Sequence, residues 1–354
     1  MSGPARLRVR PLLVRSDARF ECFVDGICCT DIHRLGPLAR ADVRRLELLG
    51  ADAVVSPTEG AGPELRFTDD GRCTLLDGAR CSIHAEHGAA EKPSICRHFP
   101  LGLIATPLGG RVVTAHRCPC RTMGERRLLS PAAAEGSLAS VGGRITADRR
   151  APLRIPVTSR TTISFASWVE LEAALIACLV AGDPPEVVLE IGRGLPALRG
   201  SSWREIAAAF VAFGAHPRRG HRALGWFGDG VLLALGEQPA PRERPWSDGF
   251  DRAEARSPSP APPTRIIGDW LADLIWDLSW TDHGAFDRAR ASIAALSVIA
   301  FAVTARLIEL GARADRAAAE ALLVAEIGAG HPLWAASVAR LETAPPWMTR
   351  RRDP

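Results

Sequence analysis

Apolar residues recur every three or four positions from about Ser164 onward. Ser167 to Ala181, Trp203 to Gly214, Ile266 to Trp280, Arg288 to Leu310 and Arg316 to Ile327 all carry this period, which predicts helices with a buried face. The N-terminal third reads differently. Leu7 to Arg10 alternates ahead of Pro11, as a half-buried strand does. Leu101 to Thr106 and Arg111 to His116 are β-like runs flanking Pro107-Leu108-Gly109-Gly110, a hairpin signal. Arg40 to Leu49 has helical spacing at Val43, Leu46 and Leu49, with Gly50 as a stop. The expected architecture is α+β: a small, irregular, cysteine-rich head (1–130), a connecting segment (131–163) and a mostly α-helical body (164–345). Gln238 to Thr264 is rich in Pro, Ser, Asp and Arg. It reads as a mobile loop interrupting the body over 238–264.

The longest apolar stretch, Ala291 to Ala305, is bounded by Arg290 and Arg306 and interrupted by Ser292, Ser297 and Thr304. It is shorter than the ~20 residues a bilayer requires and reads as a buried core helix. The first twenty residues carry five arginines and no unbroken apolar run, unlike a secretory segment. A cytoplasmic location without membrane association is the expectation. With 354 residues, 47% of them hydrophobic, the chain can bury a substantial core, which excludes wholesale disorder. The formal charge of +4 is modest, and no nucleic-acid partner is expected. Lys92 is the only lysine and Gln238 the only glutamine, while Asn and Tyr are absent. That is the bias of a GC-rich coding sequence, so the arginine excess says little about phosphate binding.

Cysteine usage changes the picture. Of nine cysteines, eight fall in the first third: Cys22, Cys28, Cys29, Cys73, Cys81, Cys96, Cys118 and Cys120. Cys178 stands apart in an apolar run and reads as a small core residue. In a reducing compartment, clustered cysteines suit metals, because thiolates are soft and anionic and hold zinc or iron–sulfur centres. Cys28 and Cys29 are neighbours, and on extended backbone their side chains would diverge unless a tight turn redirects one of them. Cys118 and Cys120 would share one face of an extended segment.

Three ordered motifs carry a resemblance. Phe20-Glu21-Cys22-Phe23-Val24-Asp25-Gly26-Ile27-Cys28-Cys29 comes first. Asp70-Gly71-Arg72-Cys73 follows, with Leu76-Asp77 and Cys81-Ser82-Ile83. Lys92-Pro93-Ser94-Ile95-Cys96-Arg97-His98-Phe99-Pro100 closes the set. Over residues 20–120 the chain resembles the YkgJ-type cysteine-cluster family of zinc- or iron-chelating domains. The resemblance implies a metal centre of zinc or iron, including [4Fe–4S], with Cys22, Asp25, Cys28, Cys29, Cys73, Cys81, Cys96, Cys118 and Cys120 as its ligand set. Asp25 stands where the family has its second cysteine, so a harder carboxylate replaces a thiolate there. The long interval from Cys81 to Cys96 and the late Cys-Pro-Cys look like the branch shared with flagellin lysine-N-methylases. That likeness implies, as an alternative function, protein lysine methylation with S-adenosylmethionine as cofactor.

Several other features compete for attention. His33, His84, His87, His98 and His116 lie near the cysteines in sequence and could assist them. Arg97 and Phe99 read as orienting and shielding residues. Glu190-Ile191-Gly192-Arg193-Gly194 follows hydrophobic residues, as in the strand–glycine loop of class I S-adenosylmethionine methyltransferases. Pro196 and the helix-start signal Asp183-Pro184-Pro185-Glu186 argue for a helix instead. Trp270, Trp276 and Trp280 read as core. The expected function is a metal-binding accessory or redox-type module whose helical body docks a protein partner, with the metal structural to the head.

Overall fold

The computed structural model describes residues 7–22, 26–33, 35–55, 62–78, 80–140, 142–191, 193–257 and 259–342. Asp25 lies outside the described residues. The protein is α+β, with small sheets near the N-terminus and a helical C-terminal body.

The Leu101–Ala105 and Gly110–Thr114 strands form the expected antiparallel hairpin, with Leu103 opposite Val112. At its turn the Thr106 hydroxyl donates to the Gly109 carbonyl at 2.7 Å. Gly109 has φ +149°, and a Cβ there would collide with the Pro11 carbonyl, so no other residue fits. Leu12–Leu13 adds in parallel to one edge and Arg149–Arg150 to the other. Leu7 to Arg10, expected as a strand, contributes only a bridge between Arg8 and Thr106. Leu101, Leu103 and Val112 pack with Ala134 and Leu138 of the Pro131–Leu138 helix, while Ile104 turns toward the body. The Arg40–Leu48 helix forms as expected and buries Leu46 with Cys73, Leu75 and Ile83 in a separate small core.

Among the described residues the body has seven longer helices: Phe165–Ala181, Trp203–Phe213, Arg219–Ala234, Ser247–Ala255, Pro263–Trp276, Phe286–Glu309 and Ala314–Ala329. Ser202 and Glu205 form a reciprocal capping box that starts the second of these. Phe286–Glu309 is apolar and long enough to cross a bilayer by composition. Here it is the central helix, packed against Arg219–Ala234, Pro263–Trp276 and Ala314–Ala329.

The Arg219–Ala234 helix escapes the periodicity rule because Gly220, Gly225, Gly228 and Gly230 lie within it. Glycine weakens a helix by ~1 kcal/mol relative to alanine. It also permits close approach: a Cβ on Gly228 would stand 2.7 Å from the Ala207 carbonyl, and one on Gly230 would stand 2.6 Å from Val303 Cγ2. The helix gains in packing what it lacks in propensity.

The expected mobile loop over 238–264 is also corrected. It contains the Ser247–Ala255 helix, and Trp246 and Phe250 are each 1% exposed. Trp246 Nε1 donates to Glu320 at 3.0 Å, and Arg244 pairs with the same carboxylate. Two buried aromatics and a buried anion anchor a segment whose composition reads as linker. Cys178, expected in the core, faces outward on the Phe165–Ala181 helix. Trp270 and Trp280 are buried, and Trp276 donates its Nε1–H to the Val112 carbonyl at 2.9 Å. The glycine segment near Glu190 follows a single helical turn, Pro185–Val188, and no strand precedes it.

Ile27, Ile32, Ile104 and Met123 belong to the same buried cluster as the body helices. Part of the head therefore joins the body's hydrophobic core, while the clusters around Leu103 and Leu46 stay separate from it.

Candidate metal centre

Gly26, with φ +79°, turns the chain into the 3-10 turn Ile27–Cys29. Ile27 anchors that turn, being 1% exposed and seated on Gly249. Successive side chains in such a turn are about 120° apart rather than opposed. The Sγ atoms of Cys28 and Cys29 consequently lie 4.0 Å apart. Two thiolates bound to one tetrahedral zinc at ~2.3 Å stand about 3.8 Å apart. The divergence expected of neighbouring cysteines on extended backbone is removed by the turn.

Each remaining thiol arrives on its own short element. Cys73 donates its backbone N–H to the Cys29 carbonyl at 2.8 Å. Cys81 pairs with Leu76 in a two-stranded hairpin, then starts the Ser82–His87 helix. Cys96 lies in the Ser94–His98 helix, which is tied down where Ser94 N and Oγ donate to the Asp42 carboxylate at 3.1 and 2.6 Å. Together Cys28, Cys29, Cys73, Cys81 and Cys96 line a cavity of about 30 Å³, walled by Leu35, Leu65, Phe67, Leu75 and Ile95. It has room for one small occupant.

A second, open cleft of about 560 Å³ shares Cys28, Cys29, Cys81 and Cys96 and adds Cys22, Cys118 and Cys120. All eight N-terminal cysteines thus line two adjoining spaces, and all nine cysteines are thiols. Cys118 and Cys120 do not lie on extended backbone together. Cys118 caps the single turn Pro119–Thr122, and Cys120 lies within it.

Carboxylates of the body hold that turn in place. Glu326 accepts the backbone N–H groups of His116 and Arg117, both at 2.9 Å. Asp273 binds Arg15 at 2.6 Å, Arg121 at 3.0 Å, Thr114 at 2.6 Å and His116 at 2.8 Å. Asp269 pairs with Arg15 and with Arg121. Burial opposes ionisation of Asp273, but Arg15, Arg121 and His116 outweigh it and hold this carboxyl well below its usual range.

At the thiols burial acts in the same sense and is not outweighed. Burial pushes Cys73 up to about 11 and Cys96 up to about 12, the latter in spite of Lys92. Lys92 is half-buried, and desolvation pulls its ammonium down. The negative potential of Cys28, Cys96, Cys29 and Cys81 overcomes this and raises it. The sole lysine of the chain, read from sequence as a relic of codon bias, stands among the thiols.

The histidines divide. His84 lines the open cleft, where burial, Lys92 and Arg80 lower its pKa. His87 is exposed beside Glu86, and His98 is half-buried outside both spaces. His116 belongs to the Asp273 network. His33 is 3% exposed, stacks on Phe99 at 4.7 Å, and neither ring nitrogen has a hydrogen-bond partner. Arg97 donates to the Ser137 and Ala90 carbonyls at 3.3 and 3.1 Å. Phe99 lies beneath the Arg117 guanidinium at 5.4 Å.

Among the described residues, no three His, Cys, Asp or Glu side chains surround a common point at metal-ligand spacing. The arrangement is a thiol-lined cavity in which the Cys28–Cys29 separation approaches that of two ligands on one ion. The donor set suits a soft ion, and its convergence would have to be completed by side-chain rotation. Sequence reasoning missed Asp269, Asp273, Glu326 and Arg121, since acidic and basic residues on a body helix give no sign of what they reach. No family model, no curated protein and no solved structure matches this chain.

Proposed function

We propose that this protein binds zinc or an iron centre through its N-terminal thiols and acts as a metal-binding accessory or redox-type module. The observation that supports the reading is the convergence of all eight N-terminal cysteines on two adjoining spaces, despite arriving from five separate segments. Zinc would be held structurally by four donors, with its remaining surroundings dry. An iron–sulfur centre would require four thiolates and would carry electrons. Lys92 would offset part of the negative charge that either centre concentrates. The helical body is the surface available to a protein partner, and a reducing cytoplasm would keep the thiols competent. Elemental analysis of protein purified without oxygen tests the proposal, with absorbance near 400 nm separating iron–sulfur from zinc. Less than about one-tenth of an equivalent of zinc plus iron, with the thiols intact, would reject it.

A further inference from the structure

We propose that the open cleft beside the thiols is a binding site for a small organic oxyanion, a carboxylate or phosphate carrying an apolar portion. Arg80, Lys92 and Arg97 all line it, and among the described residues no aspartate or glutamate does.

Several cations drawn into the structure elsewhere meet carboxylates: Arg15 and Arg121 on Asp269, Arg111 on Glu172, Arg242 on Asp229 and Arg316 on Asp251. In the cleft, among the described residues, Arg97 donates to the neutral carbonyls of Ser137 and Ala90 and to no carboxylate. Its charge is oriented but not neutralised. An anion entering here would meet the Arg97 guanidinium already held in place, and charge-assisted hydrogen bonds are the strong ones. Phe20, Phe99 and Pro100 supply an apolar wall. The volume of about 560 Å³ is in the range of small-molecule sites. The competing explanation is that the three cations serve only as counter-charge to a thiolate–metal centre.

The inference extends beyond metal binding and is tested separately from it. Benzoate, inorganic phosphate and neutral benzamide are titrated calorimetrically into the full chain, both metal-free and metal-loaded, with metal content measured independently. Benzoate or phosphate should bind saturably, with Kd below about 1 mM, and benzamide should not. Arg80→Glu, a change at an exposed side chain, should weaken anion binding about tenfold or more, while Arg80→Lys should retain most of it. Circular dichroism verifies that both variants fold. Absence of saturable anion binding in both forms would overturn the inference, as would binding indifferent to Arg80→Glu. Binding confined to the metal-free chain would also overturn it, by showing that the cations are occupied by the centre. Failure to find metal, with Arg80-dependent anion binding intact, would reject the metal reading and leave this one standing.

Discussion

His116 Nε2 lies 2.8 Å from Asp273 Oδ2, with both side chains buried. This contact joins the segment that carries Cys118 and Cys120 to the Pro263–Trp276 helix. The same carboxylate holds Arg15 and Arg121, so one body residue fixes two separate segments of the head. Neutralising it leaves two guanidinium groups facing a weaker partner. Asp273→Asn is expected to destabilise the protein by about 3–5 kcal/mol, measured by urea denaturation at pH 7.

The same carboxyl gives the pH dependence. Its folded pKa is held below the unfolded value of ~3.9. The unfolded chain therefore takes up the proton first as pH falls. The stabilisation is complete above the unfolded pKa and is lost as pH falls from there toward the folded value. Denaturation midpoints should show no loss from Asp273 between pH 8 and 5 and a marked loss below pH 4. The midpoint of Asp273→Asn should fall less steeply through that acid window.

Thiol reactivity should follow burial. Cys22 and Cys178 are exposed, whereas Cys73 and Cys96 are shielded and their thiols resist ionisation. Iodoacetamide at pH 8 should modify Cys22 and Cys178 first and Cys73 and Cys96 last, as read by peptide mass spectrometry. Equal rates at all four would contradict the arrangement. The sign for stability is also fixed, because a thiol whose folded pKa exceeds its unfolded value of ~8.5 favours the fold only while protonated. Metal-free protein should lose stability as pH rises from about 9 through the folded values.

Metal content should distinguish the clustered thiols from the outlying one. Cys28→Ser is expected to lower bound zinc plus iron at least twofold, since it breaks the pair whose sulfurs lie 4.0 Å apart. Cys178→Ser, on the outer face of a body helix, should leave it unchanged. Equal content in both variants would remove Cys28 from the ligand set.

Helix contacts make a paired prediction. Gly228→Ala places a methyl 2.7 Å from a backbone carbonyl of the neighbouring helix. It should cost about 1–3 kcal/mol by overpacking, despite alanine's better propensity. At Gly220 the nearest atom to an added Cβ is 3.6 Å away, an ordinary contact. Gly220→Ala should be neutral or stabilise by up to about 1 kcal/mol. Thermal melts of the two variants should therefore shift in different directions or by clearly different amounts.

What the sequence determined by itself was local. Period and turn chemistry located the Arg40–Leu48 helix, the Leu101–Thr114 hairpin and most of the long body helices to within a few residues, because those elements satisfy their own backbone and expose one face for burial. The cysteine positions marked a region of thiol chemistry for the same reason, being a property of composition along the chain. Tertiary structure decided what depends on partners distant in sequence. It made a helix of the glycine-rich Arg219–Ala234 segment, where absent side chains let two neighbours close in. It fixed the Pro-rich segment through Trp246 and Phe250. It turned Cys178 outward, brought Lys92 to the thiols, and placed Asp269, Asp273 and Glu326 beneath the Cys118 turn. A buried charge is stable only where another element supplies its counter-charge, and that pairing exists only once the chain has folded.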